Sequence, residues 1–222
     1  MKKLFTLLMV ALISISASAQ IALDAYNKWH QNKYSMFIHF GLYSVYGGVY
    51  NDKPVTFGYS EQIQSFAGIF SDWYGDTALE FDPVKFNADE IVALAKEAGM
   101  RSIVITTKHH DGFCMFKTAT TDYNSVDATP SKRDYVKELS DACRRGGINF
   151  AIYFSLIDWH FPHAYPISSH NCDFITPQHH EFTKAQVTEL LTNYGPVSEL
   201  WFDMGSNRPE QSKELYELVH KL

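Results

Sequence analysis

The chain has 222 residues, 45% hydrophobic and 20% charged, with a formal net charge of −6. That balance suits an ordinary soluble globular chain and argues against nucleic-acid binding, which needs clustered Lys and Arg. Three cysteines (Cys114, Cys143, Cys172) without C-x-x-C spacing make neither a disulfide framework nor a zinc knuckle, and one disulfide of unread pairing stays open. Aromatic residues, at 15%, suit a rich core and equally a carbohydrate site, where rings stack on sugar faces.

The first residues read as a secretory leader. Lys2-Lys3 precedes an apolar run from Leu4 to Ile15, and Ala17-Ser18-Ala19 stands before Gln20. A basic start, a core too short to span a bilayer and an A-x-A site predict removal of residues 1–19. The expected destination is the periplasm, the cell surface or the medium, with no membrane span afterwards. Losing Lys2 and Lys3 moves the formal charge from −6 to −8.

After a helical lead from Leu23 to Asn32, Ser35 to Gly41 reads as a first strand carrying His39. The next forty-odd residues, including Phe57-Gly58-Tyr59-Ser60-Glu61-Gln62-Ile63, form a connection of a length usually reserved for function. Asn87-Ala88-Asp89-Glu90 opens a helix as a capping box does, with Ile91, Leu94, Ala95 and Ala98 as the apolar stripe and Gly99 as the stop. Ser102 to Thr106 is a second strand, running into Lys108-His109-His110-Asp111-Gly112-Phe113. A polar loop from Thr118 to Pro130 leads to a helix with Val136, Leu139 and Cys143 on one face and Gly146-Gly147 as its stop. Phe150 to Phe154 is the third strand, closed by Ser155 and followed by Asp158-Trp159-His160. Thr176-Pro177 starts a crossover helix, Thr as N-cap and Pro at the first helical position, that runs to Asn193.

Glu199-Leu200-Trp201-Phe202-Asp203-Met204-Gly205 then reads as a buried parallel strand ending in one carboxylate. Period-two alternation puts Trp201 and Asp203 on one face. The same aspartate could also be a helix N-cap. Leu215, Leu218, Val219 and Leu222 mark a final helix.

Strands separated by crossover helices make a parallel sheet of α/β class. Four strands can form a small open sheet. However, functional groups at every strand's carboxyl end match a (β/α)8 TIM barrel better, and that barrel needs eight strands over about 250 residues. The expectation is therefore the first four β/α units, residues 20–222 being the amino-terminal portion of a truncated catalytic barrel with two unpaired strand edges.

The strand ends deliver His39, then His109-His110, then Tyr153 with Asp158-Trp159-His160 after it, then Trp201 with Asp203. A metal-dependent barrel hydrolase is one reading, since His and carboxylates from separate strands can hold zinc. Against it, there is no H-x-H or H-E-x-x-H, and adjacent His109 and His110 on a strand would diverge unless the chain has turned. A polyol site is the other reading. Imidazole, phenol and indole groups exchange hydrogen bonds with hydroxyls, and a carboxylate under an anomeric carbon attacks it or stabilises its charge.

Phe37-Ile38-His39-Phe40-Gly41-Leu42-Tyr43-Ser44, Thr107-Lys108-His109-His110-Asp111-Gly112-Phe113, Tyr123-Asn124-Ser125-Val126 with Lys132-Arg133-Asp134, and Leu200-Trp201-Phe202-Asp203 together resemble the α-L-fucosidases of glycoside hydrolase family 29. The resemblance implies a retaining, exo-acting enzyme that removes terminal α-L-fucosyl residues from oligosaccharides or glycoconjugates without a cofactor or metal. It also implies a barrel followed by a β-sandwich domain that this chain does not contain. By the resemblance Asp203 is the nucleophile and Trp201 lines the pocket. His39, His109 and His110 bind fucose hydroxyls, and Tyr153 is the pocket tyrosine. Glu61 matches the glutamate of a Glu-Trp pair, here Glu61-Gln62. Asp111 reads as a loop-fixing acceptor and Glu181 as a first-turn helix acid, while Asp158 has no catalytic counterpart.

Retaining hydrolysis needs a second carboxyl about 5–5.5 Å from the first. In the family it comes from later in the barrel. Glu210, Glu214 and Glu217 are expected on the solvated side of the last helix, so the chain carries half an active site. A non-catalytic fucose-binding module is the remaining alternative.

Overall fold

The computed structural model describes residue 20, residues 23–163 and residues 174–222. The expected leader at residues 1–19 and Cys172 lie outside the described residues. Four strands form one parallel sheet in chain order: β1 (Ser35–Ile38), β2 (Ser102–Lys108), β3 (Asn149–Ser155) and β4 (Leu200–Asp203). Ile38, Ile105, Ile152 and Leu200 lie side by side across it. Four long helices follow the strands: α1 (Ala88–Glu97), α2 (Tyr135–Gly146), α3 (Pro177–Asn193) and α4 (Pro209–Lys221). A helical lead over 23–32 precedes β1. Among the described residues no helix is long and apolar enough to cross a membrane.

The two faces of the sheet differ. Ile103, Ile105, Phe150, Ile152 and Phe154 pack outward with Ala95, Val136, Leu139, Val187 and Leu190 of the helices into the main core. Val104, Ala151 and Tyr153 form a separate cluster on the inner face. That inner face is concave. Phe37 of β1 and Trp201 of β4 have ring centroids 5.3 Å apart, although a flat sheet would hold strands three places apart about 14 Å from each other.

The helix ends follow local chemistry. Asn87, Asp134 and Thr176 each accept the backbone N–H three residues on, and Gly147 closes α2 in the left-handed conformation. Asp134 does more than cap. Its Oδ1 takes the Lys137 N–H at 2.8 Å, and its Oδ2 takes the Lys117 N–H at 2.9 Å and the Tyr194 hydroxyl at 2.7 Å. Asp134→Ala is expected to cost about 2–3 kcal/mol, read as a lower urea midpoint at an unchanged slope.

Three expectations need correction. First, β4 is not a buried strand. Among the described residues it has β3 as its one neighbour, and Trp201 is 47% exposed. Second, the stripe of α1 is partly rotated: Ala95 is buried and Ile91 packs partly buried against the core as expected, but Ala88 and Val92 are buried in place of Leu94, which is 59% exposed, and Ala98, which is exposed. Val92 turns inward because α2 offers it a hollow at Gly146, where an added Cβ would stand 2.4 Å from Val92 Cγ1. Third, Glu181 is the fifth residue of α3, past the first turn, and pairs with Lys184 at 2.7 Å.

The long connection between β1 and α1 is folded onto the sheet end. It contains short helices at Tyr43–Tyr46, Ile63–Phe66 and Ser71–Asp76. Leu42, Ile63, Ile69 and Tyr74 anchor it in the core.

Candidate active site

The site is built at the carboxyl ends of the four strands. On β2, Thr106 faces inward and donates its hydroxyl to the Phe40 carbonyl at 3.1 Å, tying β2 to the chain leaving β1. The register then shifts between Thr106 and Lys108. The Thr107 hydroxyl donates to the Tyr153 carbonyl at 2.8 Å across the irregularity. Such a bulge re-aims the residues that follow it. His109 and His110 therefore do not diverge. They have left the strand, and their ring centroids are 4.2 Å apart.

His109 stacks on Tyr153 at 5.3 Å and an 11° tilt, with His39 5.4 Å away. Burial, then the neighbouring His110 and His39, hold the His109 imidazole well below its usual range, so it is neutral. The Ser155 hydroxyl donates to the Ile157 carbonyl at 2.9 Å and lies 2.7 Å from His110 Nδ1. With its proton so committed, Ser155 accepts from His110 Nδ1–H, which assigns Nε2 as an acceptor. Burial is also the main reason His110 is pushed down to about 4, with Asp203 pulling the other way.

Tyr153 links the imidazoles to the carboxylate. Its hydroxyl donates to Asp203 Oδ2 at 2.5 Å. Burial and that bond raise the phenol far above its usual range, so it stays a donor throughout the accessible pH range. The Glu61 carboxylate adds to the same shift, which brings it within electrostatic reach from the turn Ser60–Gln62. Trp201 stands 6.5 Å from the Tyr153 ring on the far side. His39, His109, His110, Tyr153, Trp201 and Asp203 thus meet at one rim, with Glu61 beside them.

Asp111 is apart from this set. It is buried, accepting the Phe113 N–H at 3.1 Å and the Tyr74 hydroxyl at 2.8 Å. Burial lifts its carboxyl to about 7 despite both bonds. Glu214 is turned to α3, 2.9 Å from Lys184 and 3.0 Å from His180, and Glu217 is exposed. Among the described residues no group of three or more His, Cys, Asp or Glu side chains is placed to hold a metal ion.

A family model described as Alpha-L-fucosidase matches residues 16–222. The chain belongs to the alpha-L-fucosidase family. Alpha-L-fucosidase 1 of Arabidopsis thaliana is 32% identical over 205 residues, covering 88% of this chain and 34% of that protein. Alpha-L-fucosidase from Vibrio sp. strain EJY3 superposes with a TM-score of 0.80 at 38% identity, over 89% of this chain and 36% of that one. Alpha-L-fucosidase AlfC from Lactobacillus casei in complex with alpha-L-fucose product superposes with a TM-score of 0.78 at 36% identity, over 89% of this chain and 68% of that one. The chain thus spans about a third of its Arabidopsis relative's length.

Four side chains to which the sequence alone assigns no site role stand at or behind the rim of this fucosidase-family chain. Phe37 lies 4.9 Å from the His39 ring, and Ser155 orients His110. The Trp159 ring meets His110 at 5.4 Å, edge to face. Lys108 is fully buried against Asp158. The one advance signal was a lysine continuing an apolar strand.

Proposed function

We propose that this chain is the amino-terminal half of the (β/α)8 catalytic barrel of an exported, retaining, exo-acting α-L-fucosidase, with Asp203 as its nucleophile. The observation carrying the reading is the Asp203 carboxylate held by the Tyr153 hydroxyl at 2.5 Å, on a rim shared with two neutral imidazoles. The leader sequence supports export, and the curled four-strand sheet in chain order supports the half barrel.

A terminal fucosyl group would sit among His39, His109 and His110, its hydroxyls exchanging hydrogen bonds with the imidazoles, and Trp201 would pack on its apolar side. His109 Nδ1 and the Trp159 indole N–H are buried without a hydrogen-bond partner among the described residues, and each could serve a polar ligand atom. Asp203 attacks the anomeric carbon as the bond to the aglycone oxygen breaks, giving a fucosyl–Asp203 ester. A general acid from the second half of the barrel protonates the leaving oxygen. The same group then deprotonates the water that releases fucose.

The complete protein is expected to hydrolyse an aryl α-L-fucoside and to release the α-anomer first, followed by NMR before mutarotation. Release of the β-anomer, or fucose binding with no turnover, would remove the retaining mechanism or the enzyme reading respectively. Tyr153→Phe deletes a hydrogen bond to a charged acceptor, a contact of about 1.5–3 kcal/mol. The expected result is a fall in kcat/KM of about one to two orders of magnitude, measured with the same fucoside, with little change in melting temperature.

A further inference from the structure

The bulge in β2 sends Lys108 to the helix side of the sheet, where it pairs with Phe154 across the ladder. Its side chain is fully buried, with Nζ 4.5 Å from the Phe154 ring centroid and 3.1 Å from Asp158 Oδ2. Asp158 uses its other oxygen on the turn that follows β3: Oδ1 accepts the N–H groups of His160 at 3.0 Å and Phe161 at 2.8 Å. Trp159, in the middle of that turn, donates its N–H to the His110 carbonyl at 2.8 Å and sets its ring against the imidazole. Two loops are therefore clamped around one ion pair, and His110 is gripped between them.

Stability alone does not explain such a pair. Burying both charges costs desolvation that their attraction barely offsets, and apolar replacement of a whole buried pair is often neutral. We propose that Lys108 is a positioning residue, acting through Asp158 and the 158–161 turn to fix His110 at the rim of the fucosyl pocket. The inference rests on the functional reading above. The titratable or charged groups around His110 are Lys108, His109 and Asp111 on its own segment, His39 beyond β1, Asp158 beyond β3 and Asp203 on β4. After burial, Asp203 favours protonation of His110, while Lys108 and His39 oppose it. Lys108 thus also offsets the nucleophile's pull and keeps Nε2 free to accept a sugar hydroxyl.

The test compares the complete wild-type protein with Lys108→Met and with the double variant Lys108→Met/Asp158→Asn. In the double variant no charge is left unpaired, and the Asp158→Asn change keeps an oxygen for the N–H groups of His160 and Phe161. Lys108→Met is expected to lower the melting temperature, and the double variant to recover it. Activity should not recover with it. In the double variant kcat/KM for an aryl fucoside stays about 30-fold or more down, and the acid limb of its pH profile moves upward, because the Lys108 charge no longer opposes protonation of His110. The His110 imidazole followed by NMR titrates higher as well. A double variant that regains stability, kcat/KM and the acid limb together would overturn the positioning role. If Lys108→Met alone does not fold, the double variant carries the comparison. If the wild-type protein does not cleave the fucoside, the functional reading fails instead. The NMR titration then still decides on Lys108, an unshifted His110 in the double variant overturning it.

Discussion

Asp203→Ala in the complete protein is expected to lower kcat for an aryl α-L-fucoside by at least about 10³-fold while leaving the melting temperature nearly unchanged. The size follows from the role. Without the carboxylate no ester can form, and what survives is binding and the remaining electrostatics. The small effect on stability follows from the place: Asp203 is the last residue of β4, and the hydrogen bond its carboxylate accepts comes from one phenol hydroxyl. Loss of activity by itself would not separate a nucleophile from a group that merely orients water. Added azide does. It fits the space vacated by the carboxylate and attacks the anomeric carbon from the same side, so the variant should regain turnover and yield the inverted β-fucosyl azide. Lost activity with no azide adduct would leave Asp203 without the nucleophile's role. Near-normal kcat would end the reading outright.

Legibility of the fold in the sequence follows the range of the interactions. Cap and stop residues act within three or four positions, so Asn87, Thr176-Pro177 and Gly147 marked their helix ends correctly. The strands were found from apolar runs, and their parallel order from the crossover helices between them. What failed depended on partners distant in the chain. The stripe of α1 kept Ile91 and Ala95 on the core side but was wrong about Leu94 and missed Val92, because the hollow that receives Val92 belongs to Gly146 on another helix. Similarly, β4 was read as buried from its own letters, whereas burial depends on its neighbours in the sheet.

The site divides the same way. Trp201 and Asp203 needed only strand alternation to be placed together. His109 and His110 needed a bulge, which no local letter announces, before two neighbouring residues could serve one rim. Lys108 was hidden for the same reason. The irregularity that brings the histidines inward also buries the lysine on the far side of the sheet. Asp158, lacking a catalytic counterpart, becomes intelligible only once it is seen holding Lys108.

The junction between these two loops should be the most fragile point outside the core, and Gly112→Ala probes it. Gly112 has φ +78, and a Cβ there would stand 2.2 Å from Asp158 Oδ1 and 3.0 Å from His160 Cβ. The backbone angle costs an alanine about 1 kcal/mol. The contact costs more, because Asp158 cannot retreat without releasing Lys108 and the N–H groups of His160 and Phe161. Breaking a buried ion pair is a matter of about 3–5 kcal/mol. The expected total is about 4 kcal/mol or more, seen as a melting temperature lower by about 10 °C for a chain of this size. Gly147→Ala is the control. Its φ is +66, but nothing lies within 4 Å of the added carbon, so it should lose about 1 kcal/mol from the backbone angle alone. The difference between the two variants measures how firmly Asp158 is held. Equal losses would mean that the ion pair yields freely to a methyl group, and the clamp on His110 would have no stiffness with which to position anything.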